Sequence, residues 1–210
     1  MGLHLGQFDI VANPHIANIV EARRLRDLLE CVLAVLDLWM VRRDTATGSG
    51  DGRASDDRRG PTGSGMTQAG GVIRIAELRS GEIDHALSFI TSAPLAGRYR
   101  YPATSTDGTS TASVGVEEGM RIQLDPSLDL DTIPKLTKGE RAIARALQRY
   151  GAYCVDNGGG NDQAMGFYAE QPTAATGDPY TAVGLPGEWP QLRHIPRSAY
   201  RVVAASVTRP

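Results

Sequence analysis

One short predicted strand, Met120–Asp125, carries three polar side chains that suit the binding of a sugar. Side chains alternate across a strand, so Arg121, Gln123 and Asp125, here called the polar row, share one face. On a convex face this is the usual pattern of an exposed surface. On a concave face, a guanidinium, an amide and a carboxylate would hold sugar hydroxyls or uronate carboxylates.

A second segment, Ile83–Ile90, places His85 on the same predicted face as Leu87 and Phe89. A histidine among apolar residues is either a core residue with satisfied ring nitrogens or a general acid or base at the floor of a cleft. Asp84 points to the opposite face. His85 and Asp84 are therefore candidate catalytic residues, and the core interpretation of His85 stays open.

Hydrolysis of a glycosidic bond requires two carboxyl groups, about 5–5.5 Å apart for retention of configuration and about 6.5–9.5 Å apart for inversion. Positions four residues apart on one strand, such as Arg121 and Asp125, are separated by roughly 13 Å. A carboxyl pair therefore has to come from different strands. The candidates for such a pair are Asp84, Asp107, Asp125 and Asp156.

A polysaccharide lyase instead requires a base, together with a cation or amide that neutralises the uronate carboxylate. His85 or Tyr153 can serve as the base, with Asp84 or Asp156 as a partner acid. The polar row supplies the cation and the amide. Asp107 is assigned to substrate binding together with that row.

The composition excludes several classes of protein. The chain has 210 residues, of which 41% are hydrophobic and 22% charged, so it is not a wholly disordered protein. A net charge of −2 disfavours nucleic-acid binding, which relies on neutralising phosphates. The acids of 125–131 lack the glycine and the distal glutamate of an EF-hand, and no common zinc or nucleophile motif occurs. The sequence predicts no cofactor and no metal site.

Three parts are predicted along the chain. Residues 1–43 form an N-terminal helical extension, because apolar residues recur every three or four positions over 17–43. The dense apolar run within it, Leu28–Val41, is shorter than the ~20 residues of a membrane span. Residues 44–70 form a disordered linker, since they offer almost nothing to bury. Residues 71–210 form a folded β-sandwich domain.

The fold class predicted for the third part is mainly β, a jelly-roll-like β-sandwich with one inserted α-helix. Short strand-like runs separated by turns with Gly and Pro favour it. The helix is predicted to begin after Thr137, which forms a capping box with Glu140, and to stop at Gly151. The predicted strands are 72–75, 83–90, 98–101, 120–124, 152–156, 164–170 and 200–206.

Five motifs follow one another between residues 70 and 204. They are Gly71-Val-Ile-Arg74, Ile83-Asp-His-Ala-Leu87, Tyr101-Pro-Ala-Thr104, Arg121-Ile-Gln-Leu-Asp-Pro126 and Ile143-Ala-Arg-Ala-Leu-Gln-Arg-Tyr-Gly-Ala-Tyr-Cys-Val-Asp-Asn157. Their order resembles a family of uncharacterised, often actinobacterial, secreted proteins. The resemblance implies a jelly-roll-like fold and a secreted or extracellular location, although no leader is recognisable in the sequence. It implies no particular activity.

Three interpretations of function remain open. The leading one is a carbohydrate-active protein that engages a polysaccharide on a concave sheet face, as a polysaccharide lyase or a glycoside hydrolase. The alternative is a non-catalytic glycan-binding or surface-interaction module. The third is a structural or assembly protein that uses the predicted helix of residues 17–43 to bind a partner.

Overall fold

The structure is a computed structural model that describes residues 8–13, 38–43, 50–54, 62–67, 69–158, 165–174, 176–187 and 190–203. Its strands are β1 (Phe8–Asn13), β2 (Leu38–Arg43), β3 (Gly50–Ala54), β4 (Leu87–Thr91), β5 (Arg121–Leu124), β6 (Ala152–Asn157), β7 (Met165–Glu170) and β8 (Tyr200–Val203). Its α-helices are α1 (Ile75–Ser80) and α2 (Lys138–Arg149). Short 3-10 helices cover Ala69–Gly71, Leu130–Thr132, Thr181–Val183 and Arg197–Ala199.

Six of these strands form one mixed sheet in the order β1-β7-β4-β6-β5-β8. The pairs β1–β7 and β4–β6 are parallel, and the other three pairs are antiparallel. Strands β2 and β3 pair with each other in a separate antiparallel sheet. The parallel pairing of β4 with β6 places the C-terminal ends of both strands side by side.

Helix α2 packs on one face of the large sheet and begins as its sequence predicts. The Thr137 hydroxyl accepts a hydrogen bond from the Glu140 amide, while the Glu140 carboxylate accepts one from the Thr137 amide. Gly151, with a φ of 71°, follows the last turn and allows the chain to turn directly into β6. Ile143 and Leu147 of the helix are fully buried in the main core.

The two faces of the sheet carry cores of different size. Phe89 and Phe167 lie in the main core under α2, with ring centroids 6.5 Å apart in an edge-to-face arrangement. A second, small cluster consists of Val72, Val155 and Tyr168. Cys154 lies in the main core and Val155 in the small cluster, so successive residues of β6 point to opposite faces of the sheet. The face with the small cluster is covered by fewer buried residues.

The prediction of a mainly β fold is confirmed, but its finer part is not. The described strands of the large sheet include parallel pairs, whereas a jelly roll consists of two packed antiparallel sheets. Predicted strands recur as β4, β5, β6, β7 and β8 with shifted ends. The predicted strands 72–75 and 98–101 differ: they are reduced to isolated parallel bridges at Ile73 and Tyr99, and Ile75 opens α1 instead.

The N-terminal predictions require correction where the structure describes the chain. Most of the predicted helix over 17–43 lies outside the described residues, and its last six residues form strand β2. Within the predicted disordered linker, Gly50–Ala54 forms β3. Strand β1 of the predicted N-terminal extension pairs with β7 in the large sheet. Residues 62–66 of the predicted linker also contact the sheet, because buried hydroxyls and backbone hydrogen bonds hold them and Met66 packs against the small cluster.

Candidate functional site

Three carboxylates meet at the C-terminal end of β6. Asp107, Glu118 and Asp156 each offer one oxygen, and these oxygens all lie within 4.8 Å of one another. Asp156 comes from β6, whereas the other two come from the long segment between β4 and β5. We call this group the carboxylate cluster. It brings together two of the four acids from which a pair was predicted, and they come from different parts of the chain as expected.

A β-bulge aims Asp156 into the cluster. The register between β4 and β6 shifts so that Phe89 pairs with Cys154 but Ile90 pairs with Asp156. Cys154 points into the main core, and an unbroken strand would send Asp156 the same way. Instead, its carboxylate accepts a hydrogen bond of 3.0 Å from the hydroxyl of Tyr168, which belongs to the small cluster on the opposite face.

Glu118 is the most deeply buried member of the cluster, with 0% of the residue exposed. The Asp107 amide donates a hydrogen bond of 3.1 Å to Glu118 Oε2, but Oε1 is buried with no hydrogen-bond partner. The backbone around Glu118 is held by Arg100, whose amide donates to the Glu118 carbonyl. Among the described residues, no ion pair reaches any of the three carboxylates.

The loop of residues 62–66 covers one side of the cluster. The Gly63 amide donates a hydrogen bond of 2.9 Å to Asp156 Oδ1, and the Ser105 hydroxyl donates to the Gly63 carbonyl. A β-carbon at Gly63 would lie 2.2 Å from the carboxylate of Asp107, so any larger residue would displace that carboxylate from the cluster. The Ser64 amide donates to the Val155 carbonyl and so fixes the loop to β6.

Burial and mutual repulsion raise the affinity of the cluster for positive charge. Burial raises the pKa of Glu118 to about 7, and the charge of Asp107 adds to the effect. Burial also raises the pKa of Asp156, although hydrogen bonds from Gly63 and Tyr168 oppose the shift. The thiol of Cys154 beside the cluster is fully buried, and burial raises its pKa, so it is not a nucleophile at neutral pH.

The polar row lies on one side of β5, as the alternation predicts, but its members bind other parts of the protein. The Arg121 guanidinium donates from Nε and Nη2 to the carbonyl of Tyr150, just after α2. Gln123 donates to the Gln148 carbonyl at 2.7 Å. Asp125 accepts from the amide and hydroxyl of Ser127 in a turn, which lowers its pKa. Arg121 and Gln123 thus fix the end of the helix.

His85 is also engaged within the protein. Its Nε2 lies 3.1 Å from Glu77 Oε1 and its Nδ1 lies 2.9 Å from the Ala86 carbonyl. The hydrogen bond to Glu77 raises the pKa of His85 despite its partial burial. Both ring nitrogens are engaged, but the side chain is 21% exposed beside the Arg74–Glu77 ion pair and does not belong to the apolar core.

The other predicted catalytic residues lie apart from one another. Asp84 is exposed, with its carboxylate 3.5 Å from the hydroxyl of Tyr150. Tyr153 stands beside the polar row, where the Arg121 guanidinium lies 5.7 Å from the centre of its ring. Asp156 alone of the predicted catalytic residues belongs to the carboxylate cluster, where Asp107 joins it from the predicted binding residues.

A basic and aromatic segment, Arg98-Tyr99-Arg100-Tyr101, runs beside the chain that carries Glu118. Tyr99 forms a parallel bridge with Glu118. The side chains of Tyr99 and Tyr101 are 49% and 79% exposed. Arg98 and Arg100 both bind the buried carboxylate of Glu117, at 2.5 Å and 2.7 Å. The segment therefore presents two rings to solvent while its guanidinium groups are held in place.

No family model, curated protein or solved structure matches this chain. The resemblance to a secreted family therefore stays a prediction. Among the described residues, no helix has the length and apolar character required to cross a membrane.

Sequence reasoning missed Glu117, Glu118 and the two exposed tyrosines as functional candidates. The alternation of Arg and Tyr over 98–101 was a usable signal, because a period of two separates the basic from the aromatic side chains on an extended chain. The sequence contains no comparable pattern that predicts the burial of Glu118. It depends on the bridge to Tyr99 and on the loop of residues 62–66, which are distant in the sequence.

Proposed function

We propose that this protein engages a polysaccharide at the surface formed by Tyr99 and Tyr101, beside the carboxylate cluster. The observation that carries the proposal is the exposure of two tyrosine rings two residues apart in a segment bonded to the Glu118 backbone. Exposed aromatic rings offer an apolar face for a sugar ring and a hydroxyl for its polar edge. The polar row is not part of this surface, since two of its members hold the end of α2.

The neighbouring guanidinium groups favour an acidic polysaccharide. Arg98 and Arg100 share the single carboxylate of Glu117, so these three side chains together carry one net positive charge, whereas the adjacent carboxylate cluster is acidic. Arg98 is also more than half exposed. A guanidinium binds carboxylates and sulfates through paired hydrogen bonds, so a uronate-containing or sulfated chain fits better than a neutral one.

The proposal places the protein outside the cell, where polysaccharides of this kind occur, in agreement with the secreted location that the resemblance implies. The jelly-roll architecture is not needed for it. A glycan-binding module requires only a rigid platform for the rings, and here the hydrogen-bonded segments 98–100 and 116–118 supply it.

A second candidate, a glycoside hydrolase, is favoured by one observation. Asp107 is exposed next to the partly exposed Asp156, and burial raises the pKa of Asp156, as a general acid requires. Hydrolysis releases reducing ends, whereas a lyase releases unsaturated products. Assays for these products therefore distinguish the two reactions from each other and from binding without turnover.

The proposal is tested by isothermal titration of the full chain with a panel of neutral, uronate-containing and sulfated polysaccharides. We expect binding to at least one acidic member. Tyr101→Ala should weaken it at least tenfold, equivalent to about 1.4 kcal/mol, because a ring that stacks on the ligand is lost. Val114→Ala removes an exposed apolar side chain elsewhere between β4 and β5 and should leave the affinity unchanged.

Assays for reducing ends and for unsaturated products on the same samples would identify an enzyme. Absence of binding to every acidic polysaccharide, or equal affinities of wild type and Tyr101→Ala, would contradict the proposal. Tighter binding to neutral chains would contradict the role given to Arg98 and Arg100.

A further inference from the structure

We propose that Asp107, Glu118 and Asp156 form a binding site for a hard divalent cation, Ca²⁺ in particular. This inference does not depend on the polysaccharide proposal, because it rests on the geometry of the cluster itself. Carboxylate oxygens are the ligands that Ca²⁺ and Mg²⁺ prefer in proteins, and the sequence analysis predicted no such site.

The spacing of the three oxygens suits a Ca²⁺ ion. They lie within 4.8 Å of one another, which is about twice the Ca–O distance of roughly 2.4 Å. Two oxygens bound to one Ca²⁺ ion can be no farther apart than this, so the three atoms meet the condition for sharing an ion. Mg²⁺ requires a near-ideal octahedron and gives up its waters reluctantly, so we expect it to bind more weakly than Ca²⁺.

Glu118 gives a second and independent reason to expect a ligand. The residue is 0% exposed and its Oε1 has no hydrogen-bond partner. A buried polar atom without a partner costs about 1–3 kcal/mol, and such atoms are rare in native proteins. A cation bound by this carboxylate would satisfy the atom.

Neutral donors orient the carboxylates around the proposed ion. The Gly63 amide and the Tyr168 hydroxyl hold the two oxygens of Asp156, and the Asp107 amide holds Oε2 of Glu118. Such outer contacts fix the ligands of metal sites without neutralising them. No positively charged side chain among the described residues forms an ion pair with the cluster, so its negative charge is available to attract a cation.

The site is accessible from one side. Asp107 is exposed, whereas Glu118 is buried behind it. Ca²⁺ takes six to eight oxygens, so three carboxylates leave several positions for water or for oxygens of a bound ligand. An ion can therefore enter from solvent beside Asp107.

The test is calorimetric titration of the full chain, first treated with a chelator, with CaCl₂ and separately with MgCl₂. We expect one site for Ca²⁺ that depends on the cluster, weaker binding of Mg²⁺, and a Tm that rises with Ca²⁺ concentration. Asp156→Asn and Glu118→Gln should each weaken Ca²⁺ binding at least tenfold. Glu82→Gln makes the same change at an exposed glutamate outside the cluster and should bind Ca²⁺ as wild type does.

The behaviour without Ca²⁺ separates a ligand role from a purely structural one. In chelator, Glu118→Gln should have a Tm equal to or above that of wild type, because the amide removes a buried charge that nothing neutralises. If Glu118→Gln does not fold, Asp107→Asn at the exposed rim gives the same test. A Tm of wild type that does not respond to millimolar Ca²⁺, or Ca²⁺ binding that survives all three cluster substitutions, would overturn the proposal.

Discussion

Replacing Phe167 by alanine is expected to lower the free energy of unfolding by about 3–5 kcal/mol. Phe167 is fully buried in strand β7 and packs edge to face against Phe89 of the neighbouring strand β4, with ring centroids 6.5 Å apart. The substitution removes the buried ring, leaves a cavity in a densely packed core and breaks the aromatic pair. Typical domains are stable by only 5–15 kcal/mol, so the loss is a large share of the total.

Urea unfolding followed by circular dichroism measures this loss as a shift of the midpoint at constant slope. Tyr101→Ala is the control, because it truncates an aromatic ring that is mostly exposed and should change the stability by less than about 0.5 kcal/mol. An unchanged stability would also show that Tyr101→Ala is folded when it is used in the binding experiments. A loss of less than about 1 kcal/mol in the free energy of unfolding of Phe167→Ala would mean that the rings of Phe89 and Phe167 are not packed as described.

Glu140→Ala is expected to destabilise the protein by about 3 kcal/mol. The Glu140 side chain is buried at the start of α2 and accepts hydrogen bonds from the Thr137 amide and from both the amide and the Nδ1 of His194. Its loss removes the capping box and leaves three donors without this acceptor. It also disconnects the segment around His194 from the helix.

The same contact predicts a dependence on pH. Burial acts to raise the pKa of Glu140, but the hydrogen bonds from His194 and Thr137 outweigh it, and the pKa lies below its usual value of 4.5. Because the folded-state pKa is lowered, the stabilisation is present above pH 4.5 and is lost as the pH falls through the folded-state value. Urea unfolding at pH 7 and at pH 3 should show a smaller difference between wild type and Glu140→Gln at the lower pH.

Glu82→Ala provides the control for this series, since Glu82 is exposed and should have little effect at either pH. An equal destabilisation by Glu140→Gln at both pH values would contradict the role assigned to the carboxylate charge.

Local features of the fold were predictable from the sequence because local chemistry determines them. Thr137, Glu140 and Gly151 mark the ends of α2 through hydrogen bonds that form within a few residues. The alternation along β5 also gave the correct faces, with Ile122 buried and Arg121 only partly so. These predictions needed no knowledge of what the strand or helix packs against.

Strand pairing was not predictable in the same way. Short strands with turns between them are compatible with both a jelly roll and a mixed sheet, because the hydrophobic pattern sets the faces of a strand and not its neighbours. The parallel pairing of β4 with β6 joins residues more than sixty positions apart. The ordering of Thr62 and Ser64 was missed for a related reason, since their hydroxyls bond to each other and the backbone bonds to β6.

The candidate site was predicted in part. Asp107 and Asp156 were named, but the polar row was expected to face a ligand, and in the structure Arg121 and Gln123 bind the backbone at the end of α2. A guanidinium donates hydrogen bonds to a backbone carbonyl as readily as to a sugar hydroxyl, and the sequence does not show which acceptor lies within reach. Glu118 joins the site only through a bridge between distant segments.

We propose that a ligand binds beside Tyr101 and the carboxylate cluster, and not along β5. The most direct test of this proposal compares the affinities of Tyr101→Ala and Gln123→Ala for an acidic polysaccharide that the wild-type protein binds. We predict at least a tenfold loss for Tyr101→Ala and a change within twofold for Gln123→Ala, because the amide of Gln123 is directed at the Gln148 carbonyl. A tenfold loss of affinity for Gln123→Ala with an unchanged affinity for Tyr101→Ala would place the binding surface on strand β5 and contradict the proposal.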